Sequence, residues 1–128
     1  VEGIFQTTPA GRYLNANPAL ARIYGYASVE EMREGFTNIG RQLYVDPNRR
    51  TEFIQLLERN DTLSDFESQI RRKDGSVVWI REKARAVRDP AGNVVYYEGA
   101  VEDVTARRTA EEALRAAREA AEQANLAK

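Results

Sequence analysis

The stretch that decides the fold runs Gln69-Ile70-Arg71-Arg72-Lys73-Asp74-Gly75-Ser76-Val77-Val78-Trp79-Ile80. An Asp-Gly pair between two β-prone segments is the chemistry of a tight hairpin turn, because both central positions tolerate backbone angles that most residues avoid. Upstream, Asp65 to Arg72 alternates, with Phe66, Ser68 and Ile70 sharing one face. Downstream, Val77 to Val87 reads as a long strand. A second turn, Asp89-Pro90-Ala91-Gly92-Asn93, leads into another strand from Val94 to Val104. The stretch therefore sits at the centre of an antiparallel meander.

Working towards the N-terminus, the period of the apolar residues changes from two to that of a helix. Asp46-Pro47 opens a predicted helix whose Phe53, Ile54, Leu56 and Leu57 form one face, and Asn60-Asp61 closes it. Asn38 to Tyr44 fits neither period. Ser28 with Glu31 has the spacing of a capping box for a short helix ending near Gly35. Asn17-Pro18 starts another helix, with Asn17 as N-cap, and Gly25 ends it. Ile4 to Thr7 and Tyr13 to Ala16, joined through Pro9-Ala10-Gly11, read as an opening hairpin. Towards the C-terminus, Thr105 to Lys128 shifts to Ala, Glu, Arg and Gln, which are strong helix formers.

Composition narrows the chemistry. The 128 residues suffice for one domain and a short extension. A net charge of −1 gives no basic field for nucleic acid or an anionic membrane surface. No apolar run approaches the roughly 20 residues that span a bilayer, and Val1 to Tyr13 is too polar for a signal peptide. The sequence starts without Met and stops at Lys128 inside a helical pattern, so both ends read as cut from something longer. There is no Cys, hence no disulfide, thiolate nucleophile or Cys-held metal. There is no His, which removes the usual general base, haem ligand and phospho-accepting imidazole. Glu82 and Glu98 are the acids set within apolar strand cores, and an isolated carboxylate without a partner group makes a poor enzyme.

In this order and at these intervals, several segments resemble the PAS domains of bacterial signalling proteins. They are Gly3-Ile4-Phe5, Asn15-Ala16-Asn17-Pro18-Ala19, Tyr24-Gly25-Tyr26, Lys73-Asp74-Gly75-Ser76 through Trp79-Ile80, Gly92, Gly99 and Asp103-Val104-Thr105. The resemblance covers about residues 1–105, with 106–128 as a signalling or coiled-coil linker helix. It implies an α+β fold, a five-stranded antiparallel sheet with short helices on one face, plus a C-terminal helix. It also implies a signal-input role without catalysis, in the cytoplasm, within a parent that is free or membrane-anchored. The linker Ala117 to Lys128 further resembles the one leading into the dimerisation domain of sensor histidine kinases, whose phosphorelay His would then lie beyond Lys128; a diguanylate cyclase is the alternative output.

The family's pocket, carried to this chain, is lined by Phe5, Leu14, Tyr24, Phe53, Leu57, Phe66, Ile80 and Val101, residues that equally suit an ordinary core. Tyr24, Tyr26 and Ser68 can add polar contacts. A small organic acid would want a buried Arg, for which Arg12, Arg22 and Arg41 are candidates. No cofactor is expected: haem is disfavoured without His, and a cysteinyl flavin without Cys. An unidentified small molecule and a ligand-independent scaffold both remain compatible with these residues.

In the family the exit triplet couples sheet to output helix, a role that falls on Asp103 and Thr105, with Arg107 or Arg108 available to pair with Asp103. The competing reading is a plain helix cap, with Thr109 and Glu112 as a second capping box. Both long strands carry apolar residues on both faces, so the outer face needs a cover. A homodimer or partner surface around Trp79 and Tyr96 would supply it; so would the stems of Arg81, Lys83 and Arg85. Ala110, Leu114, Ala117, Ala121 and Ala124 follow the a/d spacing of a weak coiled coil, which would extend a homodimer along the tail.

Overall fold

The computed structural model describes residues 2–126; Val1 and residues 127–128, at the outer edges of the two predicted segments, lie outside them. Ten elements follow in order: β1 (Gly3–Thr7), β2 (Tyr13–Ala16), α1 (Pro18–Ile23), α2 (Val29–Gly35), α3 (Ile39–Gln42), α4 (Arg49–Asn60), β3 (Thr62–Arg71), β4 (Val77–Arg88), β5 (Val94–Asp103) and α5 (Thr105–Leu126). The five strands form one antiparallel sheet in the order β2-β1-β5-β4-β3. This is the expected α+β architecture.

Local chemistry sets the helix ends. Asn17 Oδ1 accepts from Leu20 N at 3.0 Å, and Pro18 fills the first helical position. Gly25 ends α1 with φ +83°, and Tyr26 N reaches back to the Ala21 carbonyl at 2.8 Å. Ser28 caps α2 by accepting from Glu31 N at 3.1 Å, but the Glu31 side chain pairs with Lys73 instead of closing the box. The ambiguous segment becomes the short helix α3, capped by Asn38. Asp46 accepts from Asn48 N at 2.9 Å in a turn, so α4 starts only at Arg49, two residues later than Asp46-Pro47 suggests. Thr109 lies inside α5, which starts at Thr105, so no second capping box exists there.

Strand parity sorts the sheet into two faces. Ile80, Glu82 and Ala84 of β4 stand beside Gly99 and Val101 of β5, Phe5 of β1, and Phe66 and Ser68 of β3 on the inner face. Helices α1 to α4 close over this face, and Phe5, Leu20, Tyr24, Phe53, Leu57, Phe66, Ile70, Ile80, Tyr97 and Val101 are buried in one cluster. Rings meet edge to face within it, Phe53 with Phe66 and Tyr97 at centroid distances of 5.8 and 6.0 Å. Gly99 lets β4 and β5 close up, since a Cβ there would stand 2.0 Å from the Lys83 carbonyl oxygen. Helix α5 leaves the sheet and buries no side chain.

Candidate functional site

Two features of the fold carry chemistry: a buried polar cluster on the inner face, and the contacts that hold α5.

The alternation of β4 that buries Ile80 also buries Glu82, at 3 % exposure. Tyr44, from the link between α3 and α4, donates its hydroxyl to Glu82 Oε1 at 2.7 Å. Helix α4 presents Arg50, Phe53 and Leu57 on one stripe, at three- and four-residue steps, so Arg50 enters the same interior at 7 % exposure. Its Nη2 donates to Thr7 Oγ1 at a long 3.4 Å, its guanidinium lies 4.6 Å from the Phe53 ring centre, and its Nε has no partner. Arg50 makes no ion pair among the described residues. Phe5, Tyr13, Tyr24, Ile39 and Leu43 complete the lining, and no gap between them admits a water molecule.

Burial dominates the electrostatics here. Desolvation pushes the Glu82 carboxyl above its ordinary range, while the Tyr44 hydroxyl and the charges of Arg50 and Arg49 pull it back only in part. Burial also raises the phenols of Tyr13, Tyr24 and Tyr44, and Glu82 nearby adds to it, so all three remain neutral hydroxyls.

Among the predicted lining residues, Phe5, Tyr24, Phe53, Leu57, Phe66, Ile80 and Val101 are buried together in the core. Leu14 is not. It is 44 % exposed, because the pairing of Thr7 with Tyr13 turns Tyr13 inward and leaves its neighbour facing out. Arg12, Arg22 and Arg41 are all exposed, so none offers a buried guanidinium. The buried one, Arg50, was legible as a member of the Phe53–Leu57 stripe, three residues before Phe53.

The second feature lies where β5 ends. Asp103 Oδ1 accepts from Thr105 N at 2.9 Å, a local turn bond. Thr105 Oγ1 accepts from Trp79 N at 2.9 Å, and Val104 N donates to Trp79 O at 2.9 Å, so the exit is stitched to β4. The acid that holds the first arginines of α5 is Glu67 of β3 and not Asp103: its two oxygens take Arg107 Nη2 and Arg108 Nη1, each at 2.9 Å. Those hydrogen bonds, Arg108 foremost, hold the Glu67 carboxyl below its ordinary range. The Arg108 guanidinium carbon lies 3.7 Å from the Trp79 ring centre, so a residue of α5 covers this ring. Arg81 and Arg85 are engaged with Glu102 and Glu98. Glu67 is also joined to the helical layer, since Arg49 of α4 donates to its carbonyl at 2.6 Å and to Ser68 Oγ at 2.9 Å.

The outer face bears an open groove of about 740 Å³ lined by Ile4, Gln6, Leu63, Lys83, Arg85 and Glu98 among others. Tyr96 is half-buried, and Ala110, Leu114, Ala117 and Ala121 are exposed along α5. Among the described residues no helix is long and apolar enough to cross a membrane, and no His, Cys, Asp or Glu cluster could hold a metal ion.

The family model for the PAS fold matches residues 13–101. The chain belongs to the PAS fold family. This PAS domain superposes on the sensory box histidine kinase/response regulator of Burkholderia thailandensis E264 with a TM-score of 0.75, at 26 % identity, over 95 % of this chain and 91 % of that one. It is 27 % identical over 116 residues to the sensor histidine kinase TmoS of Ectopseudomonas mendocina, covering 88 % of this chain but only 11 % of that protein. The N-terminal domain of a diguanylate cyclase with a PAS/PAC sensor from Marinobacter aquaeolei shares the fold, with a TM-score of 0.66 at 16 % identity over 84 % and 99 % of the two chains. A PAS domain of this kind is a sensory input module.

Proposed function

We propose that the chain is the signal-input and dimerisation module of a longer signalling protein whose output, beyond α5, is a histidine kinase. Residues 1–105 form the input unit and 106–128 the linker helix. A change in the interior or at the dimer face moves β4 and β5, and with them Asp103, Val104 and Thr105. The observation that carries this reading is that one strand serves both features: β4 holds Glu82 in the interior and, three residues earlier, Trp79, whose backbone binds Thr105 and whose ring lies under Arg108. The likeness to sensor histidine kinases supports the choice of output. On this reading the module has no catalytic residue and no bound cofactor, and the phosphorelay His belongs to the output domain on the cytoplasmic side of the cell.

Dimerisation in this proposal uses the outer face around Trp79, Tyr96 and the groove beside Ile4, continued by the α5 seam of Ala110, Leu114, Ala117 and Ala121. The net charge of −1 supports neither nucleic acid nor an anionic membrane as the partner in this reading. The closely filled interior supports a second reading, a scaffold that pairs domains without a ligand.

The test is a nitrogen-15 NMR comparison of the chain with its Glu82→Gln variant, with sedimentation run in parallel. Shifts reaching Trp79, Thr105 and the first turns of α5 are expected, with a monomer–dimer equilibrium. Changes confined to the inner face would refute the relay, and a monomer at millimolar concentration would refute the dimer.

A further inference from the structure

The interior cluster has a charge balance that points to a ligand class. A buried guanidinium is costly unless a counter-charge and hydrogen bonds satisfy it, and it has five donors in a planar fork. Arg50, the one buried Lys or Arg among the described residues, spends them on a single long bond to Thr7 and on the face of Phe53, and leaves Nε unpaired. The adjacent acid does not close an ion pair with it; Glu82 is bonded to Tyr44 instead. Around the fork stand the neutral hydroxyls of Tyr13, Tyr24 and Tyr44. A fork with a free Nε edge and nearby hydroxyl donors is the arrangement that recognises a carboxylate bidentately.

We infer that Arg50 anchors an interior site for a small monocarboxylate, which Tyr44 uncovers by swinging away from Glu82. This rests on the reading of the interior as the input site. One cation argues for one negative charge, since a dicarboxylate would bring a second with no buried partner. Size argues the same way: the nook admits no water as it stands, so a ligand of one to three carbons asks least of α3 and Tyr44. The lining that must yield, Ile39 to Tyr44, is tied to the rest by a few backbone bonds, Ile39 N to Gly11 O, Arg71 N to Leu43 O and Val45 N to Gln69 O, at 2.8–3.1 Å.

Charge neutrality adds a signature. Without ligand, an ionised Glu82 balances Arg50; once a carboxylate takes Arg50, Glu82 is left as a second buried anion and picks up a proton. Its surroundings favour that: Tyr13 from β2, Tyr24 from the end of α1, Tyr44, and Arg49 and Arg50 from α4 face it, while β1, β3 and β5 offer Phe5, Thr7, Phe66, Ser68 and Val101 and no charge. Binding should therefore strengthen as pH falls, by up to about tenfold per pH unit while Glu82 of the free protein is ionised.

The experiment is calorimetric titration of the whole chain with formate, acetate and propionate across pH 5–8 in buffers of different ionisation enthalpy, with amide NMR of the same samples. Saturable binding with uptake of close to one proton at the alkaline end is expected. Arg50→Gln should abolish it. Glu82→Gln, which keeps the shape and the bond from Tyr44, should bind about tenfold tighter at the alkaline end and lose the pH dependence. Absence of binding to both the native chain and Glu82→Gln overturns the site, as does binding that Arg50→Gln leaves unchanged. Binding that shifts Tyr44 and Thr7 but nothing in α5 upholds the site and refutes the sensory reading. A neutral compound that shifts α5 where every carboxylate fails refutes the ligand class and leaves the sensory reading standing.

Discussion

Replacing Glu67 by Ala should release the start of α5 while leaving the domain folded. The helix buries no side chain, so little holds its first turns to the sheet except Thr105, Val104 and the two arginines. The side chains of Glu67, Arg107 and Arg108 are 24 %, 41 % and 31 % exposed, which puts each ion pair in the screened range of about 0.2–1 kcal/mol. Loosening Arg108 also weakens its stacking on Trp79, about 0.5–1 kcal/mol at such a site. The sum, about 1–2 kcal/mol, corresponds to roughly a 5- to 30-fold rise in the undocked population. Hydrogen exchange reads this directly: amides of residues 106–110 should exchange faster by that factor, and those of Ile80 and Val101 hardly at all. Acid should reproduce the effect. The folded-state pKa of Glu67 is lowered, so its contribution is complete above the ordinary value of about 4.3 and is lost as pH falls through the lower folded value. Unchanged protection in α5, or equal loss throughout the sheet, would refute the latch.

Three further outcomes follow from other contacts. Thr105→Val removes the acceptor of Trp79 N and should cost about 1–2 kcal/mol of α5 docking, read as Trp79 fluorescence moving to the red with a small fall in Tm. Gly99→Ala forces a Cβ to within 2.0 Å of the Lys83 carbonyl oxygen, so β4 and β5 must part, at a cost above the usual overpacking range of about 1–3 kcal/mol; a variant with native urea stability would contradict the strand spacing. Glu82→Gln should raise Tm at pH 8 more than at pH 4: the folded-state pKa of Glu82 is raised, so the native chain loses stability as pH rises from the unfolded value towards the folded one, and the amide does not. An equal shift at both pH values would mean that Glu82 titrates alike in the folded and unfolded chain, and would refute the upward shift.

The sheet was legible because its signals are local. Asp74-Gly75 and Asp89 with Gly92 place two turns, period-two apolarity fills the segments between them, and caps at Asn17 and Ser28 place two helices. The misreadings are also local in origin. At Asp46-Pro47, Asp46 satisfies a turn before a helix start, and the same residue types serve both purposes. At Leu14 the alternation of a four-residue strand carries too little information to fix its phase, and a register shift between Gln6 and Thr7 decides which neighbour turns inward. Asp103 and Glu67 show the limit for charges: an acid two residues before a new helix is an obvious partner for Arg107, yet the register between β3 and β4 brings Glu67 to it from 40 residues away.

The interior cluster shows why a site is harder to read than a core. Arg49 and Arg50 are adjacent and identical in type, and nothing in composition separates them. One step of 100° around α4 does. It sends Arg49 to the rim, where it lies 3.7 Å over Phe66 and binds Ser68 and the Glu67 carbonyl, and it sends Arg50 inward among Thr7, Phe53 and Tyr97. Phe53 and Leu57 fix that phase, because their stripe must face the sheet. An apolar stripe extended by one charged residue at the right spacing is therefore a legible signal for a buried cation, and the alternation of β4 through Ile80, Glu82 and Ala84 is the matching signal for a buried acid. The two adjacent arginines then have separate physical consequences. Arg50 is held in the interior, while Arg49, one residue back on the same helix, bonds the strand whose Glu67 holds the arginines of α5.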